Sequence, residues 1–504
     1  MFCIIVILSL FSIVQSVYIG KMENNTMVAT INTTLVNVTL EQCTCALLLT
    51  LNQSLTVALN YFHMNQTCQL FSYNSTSIWI TSNVRCTFKF INRTSILIQS
   101  FQSDSKFNTY ISQSVVTTAA IQYSSLLFQG STSTTTTTQT TSTTAAQFNL
   151  TFSLQVAYPT GISSYPAPVF VADVNQDNNL DIIVGNFGSD TIGIFLNTGT
   201  GTFRSPINYI SATGYISNPN SLSVTDVNGD NTPDIIVANQ GADNVGVFFN
   251  IGNGTFIFSS TYSTGSSSYP ACVSVSDINN DQKPDIVVVN FGTDNIGVLL
   301  NFGNGTFRPQ ILYSTGSKPQ SAYILDVNGD DKPDIIVGNY GDGNVGVFIN
   351  YGNGTFRSQV SYSTGGNSKP YSVFVEDMNS DGKFDIIVAN SGNRNVGVLF
   401  SYGNGTFRSQ ITYSTGSGSS PYCVFVNDMN NDGKLDIIAV NRGTNNVGIF
   451  LNTGNGTFLS QQTFAVGSQP FSLFVADINF DSKSDIVVTN LGSDNVGVLL
   501  ANWY

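Results

Sequence analysis

The chain has 504 residues, with 31 acidic and 18 basic side chains, a net charge of −13 and a single histidine. Such a balance excludes nucleic acid and anionic membrane as partners. The length exceeds one ordinary core, so two or three units are expected.

In chain order, residues 1–16 read as a secretory signal peptide. Phe2 to Val14 is an uncharged apolar run too short to span a membrane, and Val14 and Ser16 suit the −3 and −1 positions of a cleavage site. No later stretch offers about 20 consecutive apolar residues, so the expected product is secreted, extracellular and without a transmembrane segment. Residues 17–128 form an N-terminal domain rich in Asn, Thr and Ser. Its Cys43, Cys45, Cys68 and Cys86 are an even set in an exported chain, which predicts two disulfides whose pairing stays open. Residues 129–146 are almost all Thr, Ser and Gln; such a run buries no apolar surface and is expected to be an extended linker.

From residue 147 to 504 the sequence repeats itself. An aspartate recurs at Asp173, Asp226, Asp277, Asp326, Asp377, Asp428 and Asp477, a period near 50 residues, which marks propeller blades. Residues 370–413 show the plan. Tyr371 to Glu376 alternates like a half-buried strand, Ile386 to Ala389 is an apolar run covered on both faces, and Asn395 to Phe400 is a third strand. A Gly-Asn-Gly-Thr turn then leads into a fourth strand, Phe407 to Tyr413.

Pro166, Pro219, Pro270, Pro319, Pro370, Pro421 and Pro470 each stand seven residues before the aspartate, marking the entry to strand one. Pro206 and Pro309 fall inside strand four, which places that strand at the outer edge. The seventh unit stops after its third strand, and Asn149 to Tyr158 matches the missing fourth. The N-terminal segment is therefore expected to clasp the ring shut. The fold class is all-β: a seven-bladed β-propeller of four-stranded antiparallel blades, plus a small disulfide-bonded N-terminal domain.

Each unit carries one loop of the form Asp-x-Asn-x-Asp-x-x-x-Asp. The candidate metal ligands are Asp173, Asn175, Asp177 and Asp181; Asp226, Asn228, Asp230 and Asp234; Asp277, Asn279, Asp281 and Asp285; Asp326, Asn328, Asp330 and Asp334; Asp377, Asn379, Asp381 and Asp385; Asp428, Asn430, Asp432 and Asp436; and Asp477, Asn479, Asp481 and Asp485. In a tight loop, positions one, three and five point inward, position seven adds its backbone carbonyl, and position nine closes an all-oxygen shell. Ca²⁺ takes roughly 6–8 such oxygens, so up to seven Ca²⁺ are expected. Two carboxylates ~5 Å apart repel by about 3 kcal/mol at an effective dielectric of ~20, and a divalent cation relieves this. The competing reading is a hairpin turn held by side-chain to backbone hydrogen bonds.

This motif, followed by Ile-Ile-Val and Asn-x-Gly-x-x-Asn-Val-Gly-Val, resembles the FG-GAP/VCBS repeats and is similar to the propeller of integrin α subunits. The resemblance implies Ca²⁺ in the loops between strands one and two, on the 28 residues named. Integrin thigh, calf and membrane segments have no counterpart, so integrin function is not implied. The N-terminal domain, through Cys43-Thr-Cys, Ala58 to Phe62, Thr67 to Phe71 and Cys86, resembles a PAN/apple module.

Cys272 and Cys423 occupy equivalent positions in two repeats and are expected to be small buried thiols. The aspartate loops and the Gly-Asn-Gly-Thr turns should share one face. Tyr165, Tyr215, Tyr269, Tyr371, Tyr422 and Phe471 should lie on the other, as ligand contacts or as fillers between blades. Asn253, Asn304, Asn353, Asn404 and Asn455 spell glycosylation sequons within the turns. No catalytic constellation is found: the one histidine, His63, lies outside the repeats. The expected function is a non-catalytic, secreted, calcium-binding adhesion or protein-interaction module. The alternative is a lectin with repeated inter-blade sites, so the partner is an extracellular protein or a glycan.

Overall fold

The computed structural model describes residues 150–212 and 216–502, together with the backbones of eight strands between Val17 and Ser112. The chain divides into two compact units, Met1–Gln139 and Thr140–Tyr504. In the first, Val17–Glu23, Thr26–Asn32, Thr87–Asn92 and Ser95–Gln102 form one sheet, and Thr56–Phe62 pairs with Thr67–Tyr73. The signal at 1–16, the linker at 129–146, His63, Cys43, Cys45, Cys86 and the side chain of Cys68 lie outside the described residues.

The second unit is a ring of seven four-stranded antiparallel sheets. Strand one of every blade begins on the expected proline, where the missing N–H costs no ladder bond. Strand two is buried along its whole length in all seven blades, as in Asp385–Asn390. Its alternate residues serve opposite neighbours. Ile336 joins the cluster shared with blade five, whereas Ile335 and Val337 join the one shared with blade three. A continuous apolar run thus supplies two interfaces at once, each fully buried side chain contributing about 1.5–3 kcal/mol.

Consecutive first strands line the axis. Tyr323, Phe374, Phe425, Phe474 and Phe170, from blades four, five, six, seven and one, form an arc with neighbouring ring centroids 4.7–5.1 Å apart. The same position holds Ser223 and Ser274 in blades two and three. The ring closes as expected: Val156–Pro159 pairs antiparallel with Asn495–Leu499, with Val156 opposite Val498 and Tyr158 opposite Val496. Leu150, ahead of this strand, is 1% exposed in the cluster between blades six and seven.

Strand four departs from its expected length. In blade five only Ile411–Ser414 pairs continuously, while Phe407 makes a separate bridge to Ser401. The intervening bulge turns Gln410 inward. Its Nε2 donates to the Thr364 carbonyl of the preceding blade, and its Oε1 accepts from Asn390 Nδ2. Gln310 and Gln461 make the equivalent bonds. Pro206 and Pro309 therefore stand in this bulge, before the paired strands Ile207–Ile210 and Ile311–Ser314, rather than within them. Blade two has Ser259 at the glutamine position, and its strand four, Phe256–Ser263, stays paired throughout apart from one local shift.

In the blades that carry it, the glutamine leaves no room for a side chain at the glycine of strand three. A Cβ at Gly448 would stand 1.9 Å from Gln461 Oε1. We expect Gly448→Ala to expel Gln461, strand the Thr415 carbonyl, leave the Asn441 amide only its bond to Asn446, and cost about 2 kcal/mol in denaturant unfolding.

Candidate metal centres and the opposite face

In each loop, positions four and six adopt positive φ, as at Ser380 (59°) and Gly382 (77°), which suits Gly and Asn there. Position two points down: Val174, Val227, Ile278, Val327, Met378, Met429 and Ile478 are at most 3% exposed and anchor the loop in the inter-blade cores. Sequence reasoning passed over this position, although an apolar residue stands there in every copy.

The oxygen-bearing side chains are pinned by backbone N–H groups. In blade five Asp377 Oδ2 accepts from Gly382 N (2.8 Å), Asn379 Oδ1 from Asp381 N (3.0 Å) and Asp381 Oδ1 from Lys383 N (3.0 Å). The first and third of these bonds recur in all seven loops. Lys283, Lys332, Lys383, Lys434 and Lys483, at position seven, fold back on the position-five aspartate at 3.0–3.8 Å. These exposed pairs are worth at most about 1 kcal/mol each.

Position nine is different. Asp181, Asp234, Asp285, Asp334, Asp385, Asp436 and Asp485 are all 0% exposed. Each carboxylate accepts two backbone donors, one from position two and one from the residue sixteen further on. For Asp385 these are Met378 N at 3.2 Å and Ser401 N at 2.8 Å. Burial pushes these groups up from the ordinary carboxylate range, to about 6 in blades one to four and about 7 in blades five to seven. The two N–H donors oppose the shift, and the other two aspartates of the loop add to it.

Among the described residues, no three Asp, Glu, His or Cys side chains gather around one point. The carboxylates stand apart on backbone donors, as like charges do. The donor set nonetheless suits a hard cation: every group is an oxygen, each carboxylate oxygen has a second lone pair, and each loop buries one acid.

The Gly-Asn-Gly-Thr turns lie on the same face. Just before the turn, Asn301 Nδ2 donates to the Val227 carbonyl in the neighbouring loop and to Pro284 in its own, both at 2.9 Å. Asn197, Asn250, Asn350 and Asn452 clamp neighbouring loops in the same way. These asparagines were missed in the sequence, where their signal was recurrence two residues before the turn.

On the opposite face Tyr371 stacks on Tyr422 at 4.0 Å, and Phe471 meets both rings at 6.0 and 5.9 Å. The Arg442 guanidinium lies over Tyr422 (4.7 Å) and Phe471 (5.8 Å), and Lys369 lies over Tyr340. Burial pushes the Tyr371 hydroxyl well above its ordinary range. Tyr165 and Tyr269 stand apart and exposed, and Tyr215 lies outside the described residues. The links here are tied down despite their varied length: Asp243 accepts from Ser267 N and Tyr269 N, and Asp190 from Ser217 N and Asn218 N. Cys272 and Cys423 are free thiols that burial pushes up.

The model of the FG-GAP-like repeat matches this chain six times, at residues 173–237, 226–288, 277–337, 326–388, 377–439 and 428–488. No curated protein matches the sequence. Among solved structures, virginiamycin B lyase from Staphylococcus aureus is similar at 13% identity and a TM-score of 0.50, covering 70% of this chain and 99% of that one. BBS1N, solved in complex with ARL6DN, gives 13% identity and a TM-score of 0.50, covering 70% and 97%. An Agrocybe aegerita lectin that recognises non-reducing terminal N-acetylglucosamine gives 22% identity and a TM-score of 0.45, covering 64% and 85%. At these identities the likeness of the lyase and of BBS1N speaks for the ring architecture alone.

Proposed function

The chain belongs to the FG-GAP-like repeat family, and on that premise we propose that its propeller is a calcium-bound, non-catalytic protein-interaction module acting outside the cell. The observation that carries this reading is the sevenfold loop, in which every side-chain donor is an oxygen and one acid per blade is buried. Positions one, three, five and nine, with the carbonyl of position seven, would hold each Ca²⁺. The cation would offset the excess of negative charge in the loop and fix the connection between strands one and two. Residues 1–16 serve in this reading as the export signal, and Cys43, Cys45, Cys68 and Cys86 as two disulfides of the N-terminal domain.

The partner surface is assigned to the opposite face. Tyr371, Tyr422 and Phe471 under Arg442 combine stacked aromatics with a guanidinium, the composition of interface hot spots. Elemental analysis of the purified chain should find about seven calcium ions per molecule, and a finding of none defeats the metal assignment. A pull-down from extracellular material, repeated with Arg442→Glu, should lose its protein partner. Retention of repeated glycan sites by that variant would favour the lectin reading instead.

A further inference from the structure

We propose that Asn304, Asn353 and Asn404 are N-glycosylated, each on a platform made by the aromatic residue two positions earlier. The turns of blades three, four and five read Phe302-Gly-Asn304-Gly-Thr306, Tyr351-Gly-Asn353-Gly-Thr355 and Tyr402-Gly-Asn404-Gly-Thr406. All three asparagines are exposed. So are the rings of Phe302, Tyr351 and Tyr402, at 56%, 56% and 55%, which leaves them open to a neighbouring group.

The hairpin geometry puts ring and asparagine together. Phe302 N donates to the Thr306 carbonyl at 2.9 Å, so residues 302 and 306 stand opposite each other, with side chains on one face. Thr306 Oγ1 donates to Asn304 Oδ1 at 2.6 Å, which draws the asparagine toward the threonine and hence toward the ring. Thr355 and Thr406 hold Asn353 and Asn404 through the same two groups, and Tyr351 N and Tyr402 N bond Thr355 and Thr406 likewise. The guanidinium of Arg308, Arg357 or Arg408 rests over the ring at 5.3–5.6 Å and steadies it. One ring face is left for the apolar C–H side of a first sugar, whose polarised hydrogens suit the negative π face.

The chemistry is transfer from a lipid-linked oligosaccharyl diphosphate. The Asn304 amide nitrogen forms a bond to sugar C1, the bond from C1 to the diphosphate oxygen breaks, the lipid diphosphate leaves, and one N–H proton is released. Asn253 and Asn455 carry the sequon without the ring, having Ile251 and Thr453 at the platform position, and are the internal controls. Glycans on three adjacent blades would shield that arc of the aspartate-loop face and leave the opposite face to a partner.

The proposal rests on the extracellular reading in one respect, passage through the glycosylating compartment. The full chain is expressed in an N-glycosylating eukaryotic host, both with its own residues 1–16 and with a host leader ahead of residue 17. Occupancy is read by enzymatic deglycosylation in ¹⁸O-water and peptide mass spectrometry. Asn304, Asn353 and Asn404 should be occupied about twofold or more above Asn253 and Asn455. The triple variant Phe302→Ser, Tyr351→Ser, Tyr402→Ser, which keeps every Asn-x-Thr, should bring them down to the control level. If that variant misfolds, Phe302→Leu alone should lower Asn304 against Asn353 within the same molecule. Unmodified Asn304, Asn353 and Asn404 in host-leader material that is modified at Asn52, in the Asn52-Gln53-Ser54 sequon ahead of the repeats, overturn the proposal, as does occupancy indifferent to loss of the rings. A chain retained in the cell only with its own leader defeats the export reading and leaves this one standing.

Discussion

A chain lacking residues 150–159 is expected to lose its cooperative unfolding transition and to self-associate. The segment supplies strand four of blade seven through the pairs Val156–Val498 and Tyr158–Val496. It also buries Leu150, sets Phe152 against Phe464 at 4.8 Å, and packs Tyr158 edge-on to Phe203 of blade one at 5.4 Å. Losing one buried leucine costs ~2–5 kcal/mol and each aromatic ~3–5, so the total is comparable to the whole stability of a typical domain, about 5–15 kcal/mol. The exposed edge of Asn495–Leu499 would then pair with other chains. Attaching the same ten residues after Asn502 through a Gly-Asn pair, so that Leu150 and Thr151 fill the last two places of the four-residue turn that blades two to six use, should restore a single transition in circular dichroism and calorimetry. If the truncated chain melts like the parent, the clasp is not what closes the ring.

Calcium removal is expected to have the other large effect. A ligand at about 100 times its dissociation constant stabilises the folded state by about 2.7 kcal/mol per site. Seven sites acting together would shift the thermal midpoint by more than ~10 °C between millimolar calcium and EGTA. The physical source of the shift is the acid each loop buries, with two further aspartates adding repulsion. Asp436→Asn removes one anionic ligand and keeps the side chain's volume. It should lower the stoichiometry by one and reduce the chelator-dependent shift by roughly one seventh, a share that follows from equal sites. Identical melting in EGTA would return the loops to the competing reading, turns stabilised by their own hydrogen bonds. The bonds from Gly382 N to Asp377 and from Lys383 N to Asp381 already show that such turns hold their shape.

The sequence by itself determined the number of blades, the entry proline of every strand one, the doubly covered strand two and a closing segment, read as Asn149 to Tyr158, of which Val156–Pro159 forms the paired strand. These follow from local chemistry repeated seven times: a proline without an N–H, an apolar run of strand length, and a segment matching the strand that the last unit lacks. Only the tertiary structure decided what depends on a neighbouring blade. Gln410 leaves its own strand because the Thr364 carbonyl waits in the blade before it, Asn301 clamps a loop of another repeat, and Tyr371, Tyr422 and Phe471 meet because three first strands converge on the axis. Periodicity along one chain records which face of a strand is buried. It carries no information about which atom of the adjacent repeat will satisfy a buried polar group, because that partner is set by how the blades are rotated and spaced around the ring.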